Sequence, residues 1–255
     1  NDIKHFIKHL KSWSKPRALA TPLLAQPGRS YLQPEPYGTV LIMGAWNYPV
    51  QLVFAPLVAV VSAGNCAVIK PSELSPAVSA LIAKLVPQYL DTKAFTVIEG
   101  AIPETTALLE LPFDHIMYTG NGAVGKIVMA AAAKHLTPVT LELGGKSPVY
   151  VDKSCDITIT AQRLAWGKWI NAGQTCIAPD YILTTEDMVQ PLVDALKVQI
   201  EQMFGSDPAA SDSYGRIVNQ RHTERLAGYL EGVNIAHGGK YDIENKYFEP
   251  TIVVN

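Results

Sequence analysis

Between residues 39 and 135 compact apolar runs alternate with longer helix-forming stretches, and nothing else in the chain constrains its fold as strongly. Residues 39–44 form an apolar run ending on Gly44. Residues 52–63 follow with helical length and the stop signals Gly64 and Asn65. Residues 67–70 read as a short strand, and Ser75-Pro76 caps a helix over 77–90, with proline near its first position. A strand at 95–98, a short helix at 103–110, a strand at 114–119 and an alanine-rich helix at 124–135 continue the series. Strands spaced by such helices predict βαβ units, and hence an α/β fold around a doubly wound parallel sheet. Right-handed crossovers bring ligands to the carboxyl ends of those strands, where Asn47, Lys70 and Gly120 fall.

Before this series, Ile3, Phe6, Ile7 and Leu10 recur at helical spacing. The tract 15–36 holds Pro16, Pro22, Pro27, Pro34 and Pro36, which predicts an extended segment or hairpin arm. A second series starts near Thr140, with strands at 139–143, 149–152 and 181–184 and helices at 157–169 and 188–204. The favoured boundary lies at Gly144-Gly145, giving units 1–143 and 144–255. The absence of an initial methionine and the end inside the apolar run 251–254 suggest a chain cut at both ends.

With 48% apolar and 17% charged residues, the composition is that of a globular protein. A net charge of −2 offers no basic excess for nucleic-acid phosphates, so nucleic acid is not an expected partner. The longest apolar stretch, 52–63, is shorter than the ~20 residues that span a bilayer, and the charges of Asp2, Lys4, Lys8 and Lys11 do not suit a secretory signal. Three cysteines cannot build a disulfide scaffold, and they read as reduced thiols of a cytoplasmic protein. Neither the six histidines nor the cysteines show metal-ligand spacing, so no metal is expected.

Several residues carry two readings. Gly120-Asn121-Gly122-Ala123-Val124-Gly125 joins a strand to a helix, either as a pyrophosphate cradle or as a plain turn; it meets the usual dinucleotide fingerprint only in part. Lys70 and Glu73 in Lys70-Pro71-Ser72-Glu73 suit a grip on ribose hydroxyls or a solvent-facing turn. Glu142, flanked by leucines, is a partly desolvated general base or an edge-strand carboxylate facing water. Asn47, in Trp46-Asn47-Tyr48-Pro49, offers an amide to an oxyanion or is ordinary turn chemistry. Trp166, Trp169 and Tyr48 suit a core or a substrate pocket alike. Cys176 follows small and polar residues in Gly173-Gln174-Thr175-Cys176, a setting in which a thiol can be an exposed nucleophile; Cys66 and Cys155 read as inert.

Taken in order, these five segments resemble the aldehyde dehydrogenase superfamily, most closely its class 3, fatty and aromatic aldehyde branch. The segment Ile177-Ala178-Pro179-Asp180-Tyr181 is also similar to the class 3 catalytic loop. The resemblance implies a Rossmann-like cofactor domain over 1–143 and the first part of a second α/β catalytic domain over 144–255. It implies oxidation of an aldehyde to a carboxylic acid with hydride transfer to NAD or NADP. Cys176 would be the nucleophile, with the Asn47 amide and the Cys176 backbone N–H at the oxyanion, and a water activated by Glu142 would hydrolyse the thioester. Lys70 and Glu73 would hold the adenosine ribose, and Gly120, Asn121, Gly122, Ala123, Val124 and Gly125 would lie against the pyrophosphate.

The tract 15–36 matches an oligomerisation hairpin, so the full-length protein is expected to be a homodimer. A Glu-Glu-Ile-Phe-Gly-Pro segment that holds the nicotinamide ribose in the family is not in this chain, which corresponds to a little over half of a typical member. A catalytically silent nucleotide-binding fragment, and an acylating relative that uses coenzyme A, are the competing readings. Glu142 speaks against the latter.

Overall fold

The computed structural model describes residues 2–254, and these divide into two units at the Leu143–Gly144 boundary. In the first unit, α1 (Asp2–Trp13) precedes a short antiparallel hairpin of β1 (Arg17–Leu19) and β2 (Ser30–Leu32). That hairpin is the arm expected at 15–36, and a single 3-10 turn, Leu23–Ala25, lies between its strands.

The expected alternation follows as β3 (Thr39–Met43), α2 (Gln51–Ser62), β4 (Cys66–Lys70), α3 (Pro76–Tyr89), β5 (Phe95–Val97), α4 (Ile102–Leu109), β6 (His115–Thr119), α5 (Gly122–Ala133) and β7 (Val139–Glu142). The five strands pair in parallel in the order β5-β4-β3-β6-β7. Counted from β3, this is the order 3-2-1-4-5 of the doubly wound dinucleotide-binding fold, and its switch point lies between β3 and β6. The strand at 139–143 therefore closes the first sheet instead of opening a second unit.

Alternation along the central strand builds two cores. Val40 and Ile42 point to one face, where Val53, Leu57 and Val60 of α2 and Ile82 and Val86 of α3 cover them. Leu41 and Met43 point to the other, under Leu108 and Leu109 of α4 and Val128, Ala131 and Ala132 of α5. A fully buried β3 reads as a continuous apolar run for this reason. The stop signal after α2 acts as expected. Gly64, at φ +79°, donates its N–H to the Val61 carbonyl, and Asn65 donates to that of Val60, which closes a left-handed helix end that glycine adopts without strain.

At the amino end of β6, His115 stacks on Tyr37 with ring centroids 5.1 Å apart, and its Nε2 meets Thr140 Oγ1 at 3.1 Å. Its Nδ1 is buried and finds no hydrogen-bond partner among the described residues. Burial penalises the charged form and holds the imidazole below its ordinary pKa. The unfolded chain thus takes up this proton first. The stability contributed by neutral His115 is present above the ordinary imidazole range and is lost as pH falls through it. The slope cannot exceed one proton, about 1.4 kcal/mol per pH unit, and partial exposure of the ring makes it smaller. The melting temperature is expected to fall less between pH 7.5 and 5.5 in His115→Gln than in the parent; parallel curves would refute this.

The second unit begins with another βαβ step: β8 (Pro148–Tyr150), α6 (Ile157–Trp169) and β9 (Tyr181–Leu183), with β8 and β9 parallel. The long α7 (Glu186–Phe204) packs on α6, and Ala161, Leu164, Ala165, Trp169, Leu192, Leu196, Ile200 and Phe204 form the shared core. Asp156 caps α6 by accepting from the Ile159 N–H at 3.0 Å.

Beyond residue 204 the sequence predicts no elements. The structure has α8 (Gln220–Ala227), β10 (Asn234–His237) paired with β13 (Ile252–Val254), and β11 (Tyr241–Asp242) paired with β12 (Tyr247–Phe248). Two-residue strands and a helix with few apolar residues leave too weak a period to read.

Candidate active site

The parallel register of the first unit aligns the singled-out residues along one sheet edge. Met43 pairs with Lys70 on one side and with Tyr118 on the other, and Thr119 pairs with Glu142. The turn at 46–49, Lys70, the loop at 120–125 and Glu142 therefore all leave the carboxyl edge of the sheet, around the switch point. Residues separated by nearly a hundred positions share an edge because parallel pairing puts every strand end on the same side.

Each segment is locally braced. Gly44 donates its N–H to the Lys70 carbonyl at 3.0 Å, and the Trp46 carbonyl accepts from Ser75 Oγ at 3.0 Å. Ser75 occupies the N-cap position of α3 but makes no side-chain cap bond, because its hydroxyl is turned to Trp46. Asn47 is half-buried in this turn.

Lys70 is not an open grip. Its side chain is buried, and its ammonium donates to the carbonyls of Pro71 at 2.9 Å and Gly100 at 2.8 Å and to Glu73 Oε2 at 3.1 Å. An ammonium has three protons, and all three are engaged. Glu73 is the more accessible partner, with a side chain 44% exposed.

In the glycine loop, Asn121 Oδ1 accepts from the Val124 N–H at 3.0 Å and caps α5. Gly120 donates to the Glu142 carbonyl at 2.9 Å, which ties the loop to β7. A Cβ at Gly120 would strike the Tyr118 hydroxyl, itself donated to the Asn121 carbonyl at 3.2 Å, so the tyrosine demands glycine there. Burial pushes the Tyr118 phenol above its ordinary pKa and keeps it a donor. A Cβ at Gly125 would stand 3.0 Å from Leu143 Cδ2, where α5 packs tightly on the sheet. Gly122 faces open space, and residues 121–123 are exposed.

Glu142 is exposed, so the desolvation expected from its leucine neighbours is not found. It ends an edge strand, whose side chains alternate between the core, where Leu141 packs, and the outside.

Within the second unit, Cys176 is exposed, whereas Cys66 and Cys155 are half-buried, and Cys155 packs against the α6–α7 core. The chain leading to Cys176 takes an unusual path. Asn171, Ala172 and Gly173 are consecutively left-handed at φ 53°, 52° and 76°, which costs a non-glycine residue about 1 kcal/mol or more. Gln174 holds this path: its Nε2 donates to the carbonyls of Asn171 and Arg216, both at 3.0 Å, and its Oε1 accepts from the Val218 N–H at 2.9 Å. A Cβ on Gly145 would lie 3.0 Å from the Cys176 carbonyl oxygen, so this glycine admits the loop.

Downstream, Asp180 donates its N–H to the Ser147 carbonyl at 2.9 Å. Its carboxylate meets Lys146 Nζ at 2.6 Å and Lys168 Nζ at 3.8 Å. Hydrogen bonding to Asp180 holds the Lys146 ammonium above its ordinary pKa, whereas burial pulls Lys168 below it. The supporting roles of Gln174, Asp180 and Lys168 are not legible in the sequence, since each depends on a partner twelve or more residues away, and that of Tyr118 is not, since its hydroxyl contact with Asn121 follows no sequence pattern. Of the aromatic candidates, Trp169 is core and Trp166 is exposed.

The comparisons with known proteins agree on one family. Its model, described as "Aldehyde dehydrogenase family", matches residues 3–255. The rat protein named "Aldehyde dehydrogenase, dimeric NADP-preferring" is 51% identical over 249 residues, 98% of this chain and 55% of that protein. The mouse "Aldehyde dehydrogenase family 3 member A2" is 50% identical over 254 residues, 100% of this chain and 52% of that protein. The solved structure of a Staphylococcus aureus enzyme, described as the "Substrate bound state of Staphylococcus Aureus AldH", has a TM-score of 0.93 at 47% identity, covering 99% of this chain and 56% of that one. A Mycobacterium tuberculosis aldehyde dehydrogenase complexed with NAD+ has a TM-score of 0.87 at 27% identity, covering 99% of this chain and 54% of that one. The chain thus spans about half the length of the curated relatives it matches. It belongs to the aldehyde dehydrogenase family.

Proposed function

We propose that this chain supplies the cofactor-binding unit and the nucleophile of an NAD- or NADP-dependent oxidation of aldehydes to carboxylic acids. The observation that carries this reading is the exposed Cys176 thiol at the end of a strained loop that Gln174 ties in place. Strain held by surrounding hydrogen bonds is characteristic of functional sites. Relatives named NADP-preferring, and another whose structure contains NAD+, support both nucleotides.

The residues of the first unit fit a dinucleotide. The first N–H groups of α5 lack intrahelical partners, as at any helix start, and the loop before them is exposed and open at Gly122, which suits a pyrophosphate. Glu73, the accessible member of its ion pair, suits a ribose hydroxyl, while Lys70 would meet one only by exchanging its Glu73 contact. The bound nicotinamide would supply a hydride acceptor.

The chain's own groups do the rest. The Cys176 thiolate adds to the aldehyde carbon, giving a thiohemiacetal whose oxyanion the Cys176 backbone N–H and the Asn47 amide stabilise. Once the carbon is oxidised to a thioester, Glu142 takes a proton from a water that attacks it, releasing the acid and restoring the thiolate. A carboxylate ending an exposed strand can exchange this proton with solvent.

A homodimer and a cytoplasmic location belong to the same proposal. They are supported by Leu23 and Leu24, 88% and 101% exposed in the hairpin arm, and by three free cysteines. Steady-state assays of the whole protein with hexanal and benzaldehyde, each with NAD and NADP, test the activity. Turnover to the acid is expected. Nucleotide binding without reduction would favour a silent binding module, and acyl-coenzyme A as the main product would replace hydrolysis by acyl transfer.

A further inference from the structure

We propose that α1 carries a two-histidine site for a late first-row divalent cation, with His5 and His9 as its protein ligands. His5 and His9 stand four residues apart, a ligand spacing that the expectation of no metal overlooked, and the helix running through both puts them on one face. Residues four apart on an α-helix lie about 40° from one another in projection, stacked on one face.

The ring centroids of His5 and His9 are 4.5 Å apart, and the rings are tilted by 43°. An imidazole nitrogen sits about 2.0–2.1 Å from a bound zinc-like ion, which places each ring centroid about 3.2 Å from it. Two such rings at a right angle around one ion have centroids about 4.5 Å apart. The observed separation matches the one that two imidazoles have when they bind one ion at a right angle.

The neighbours hold this arrangement. Trp13 lies 5.5 Å from both rings and stacks on His9 at 20°, and Phe6 meets Trp13 edge-on at 5.3 Å. His5 is exposed and His9 half-buried, so an ion has access and water completes its shell. Among the described residues no group of three or more histidine, cysteine or carboxylate side chains converges, so this is a two-ligand site. Lys4, Lys8 and Lys11 on the same helix repel a cation, and salt screens that repulsion beyond about 10 Å at 0.1 M. Imidazole donors select copper, nickel and zinc over magnesium and calcium, with Cu2+ bound most tightly.

Trp13 makes the site readable, since paramagnetic Ni2+ quenches an adjacent indole, and Ni2+ leaves the Cys176 thiol unoxidised. Titration of the protein with Ni2+ at pH 7.5, without chelators, is expected to quench part of the emission of its four tryptophans saturably. Half-saturation should move at least tenfold higher in His5→Ala and in His9→Ala and stay unchanged in His135→Ala. Alanine favours the helix, so far-ultraviolet dichroism should match the parent, and His9→Gln provides a second variant at the same position. The proposal is overturned by absent saturable quenching, by parental titration curves in the His5 and His9 variants, or by equal weakening in His135→Ala.

Discussion

Replacing Cys176 with alanine is expected to lower aldehyde oxidation by the whole protein at least ~1,000-fold, the scale on which loss of a covalent nucleophile is felt. In the proposed mechanism the thiolate forms the bond that converts a hard oxidation into a thioester followed by hydrolysis, and the other two thiols are half-buried. Cys155 packs beside the α6–α7 core, and Cys66 lies in β4 of the other unit. The substitution should leave two properties intact. Thermal unfolding should scarcely change, because an exposed side chain away from caps and cores contributes within about 0.5 kcal/mol. Nucleotide affinity should also persist, since Lys70, Glu73 and the loop at 120–125 all belong to the first unit. Oxidation retained within tenfold would remove Cys176 from the mechanism, and loss of nucleotide binding together with activity would make its role structural.

Glu142→Gln separates the two halves of the reaction. A general base contributes about 100- to 10,000-fold, so steady-state turnover should fall by that order. In the proposed mechanism thiol addition and hydride loss precede the water step, so a rapid burst of reduced nucleotide, up to one per chain, should survive. The substitution is nearly isosteric, and the hydrogen bond from Gly120 reaches the Glu142 carbonyl rather than its side chain, so the strand and loop keep their tie. Rapid-mixing absorbance at the nicotinamide band reads both phases. An unchanged steady state would return Glu142 to the solvent-facing residue its exposure also permits, and loss of the burst would assign it to the thiol instead of the water.

Helix and strand identity was legible wherever the period was long. The run 39–44 and the stretch 52–63 became β3 and α2, and Gly64-Asn65 closed the helix as read. Pro56 inside α2 did not break it. The strand at 139–143 was recognised but grouped with the wrong series, because strand propensity says nothing of which neighbour accepts the hydrogen bonds. Ser75 looked like a side-chain cap and spends its hydroxyl on Trp46, twenty-nine residues earlier. Lys70 looked like an open cation and is held by Gly100, thirty residues later. In each case the residue type was right and the partner lay beyond any local window.

The chain from Gly173 to Cys176 shows the division most clearly. The order of motifs identified the family, the candidate thiol and its candidate base from the letters alone, because residue type and order record which chemistry a chain can perform. Only the folded chain showed three consecutive left-handed residues, Gln174 bonded to Arg216 and Val218, Gly145 making room for the Cys176 carbonyl, and Glu142 facing solvent. Local sequence sets which backbone shapes are cheap. Long-range hydrogen bonds and packing decide which costly ones are kept, and in this chain the costly ones lead to the thiol.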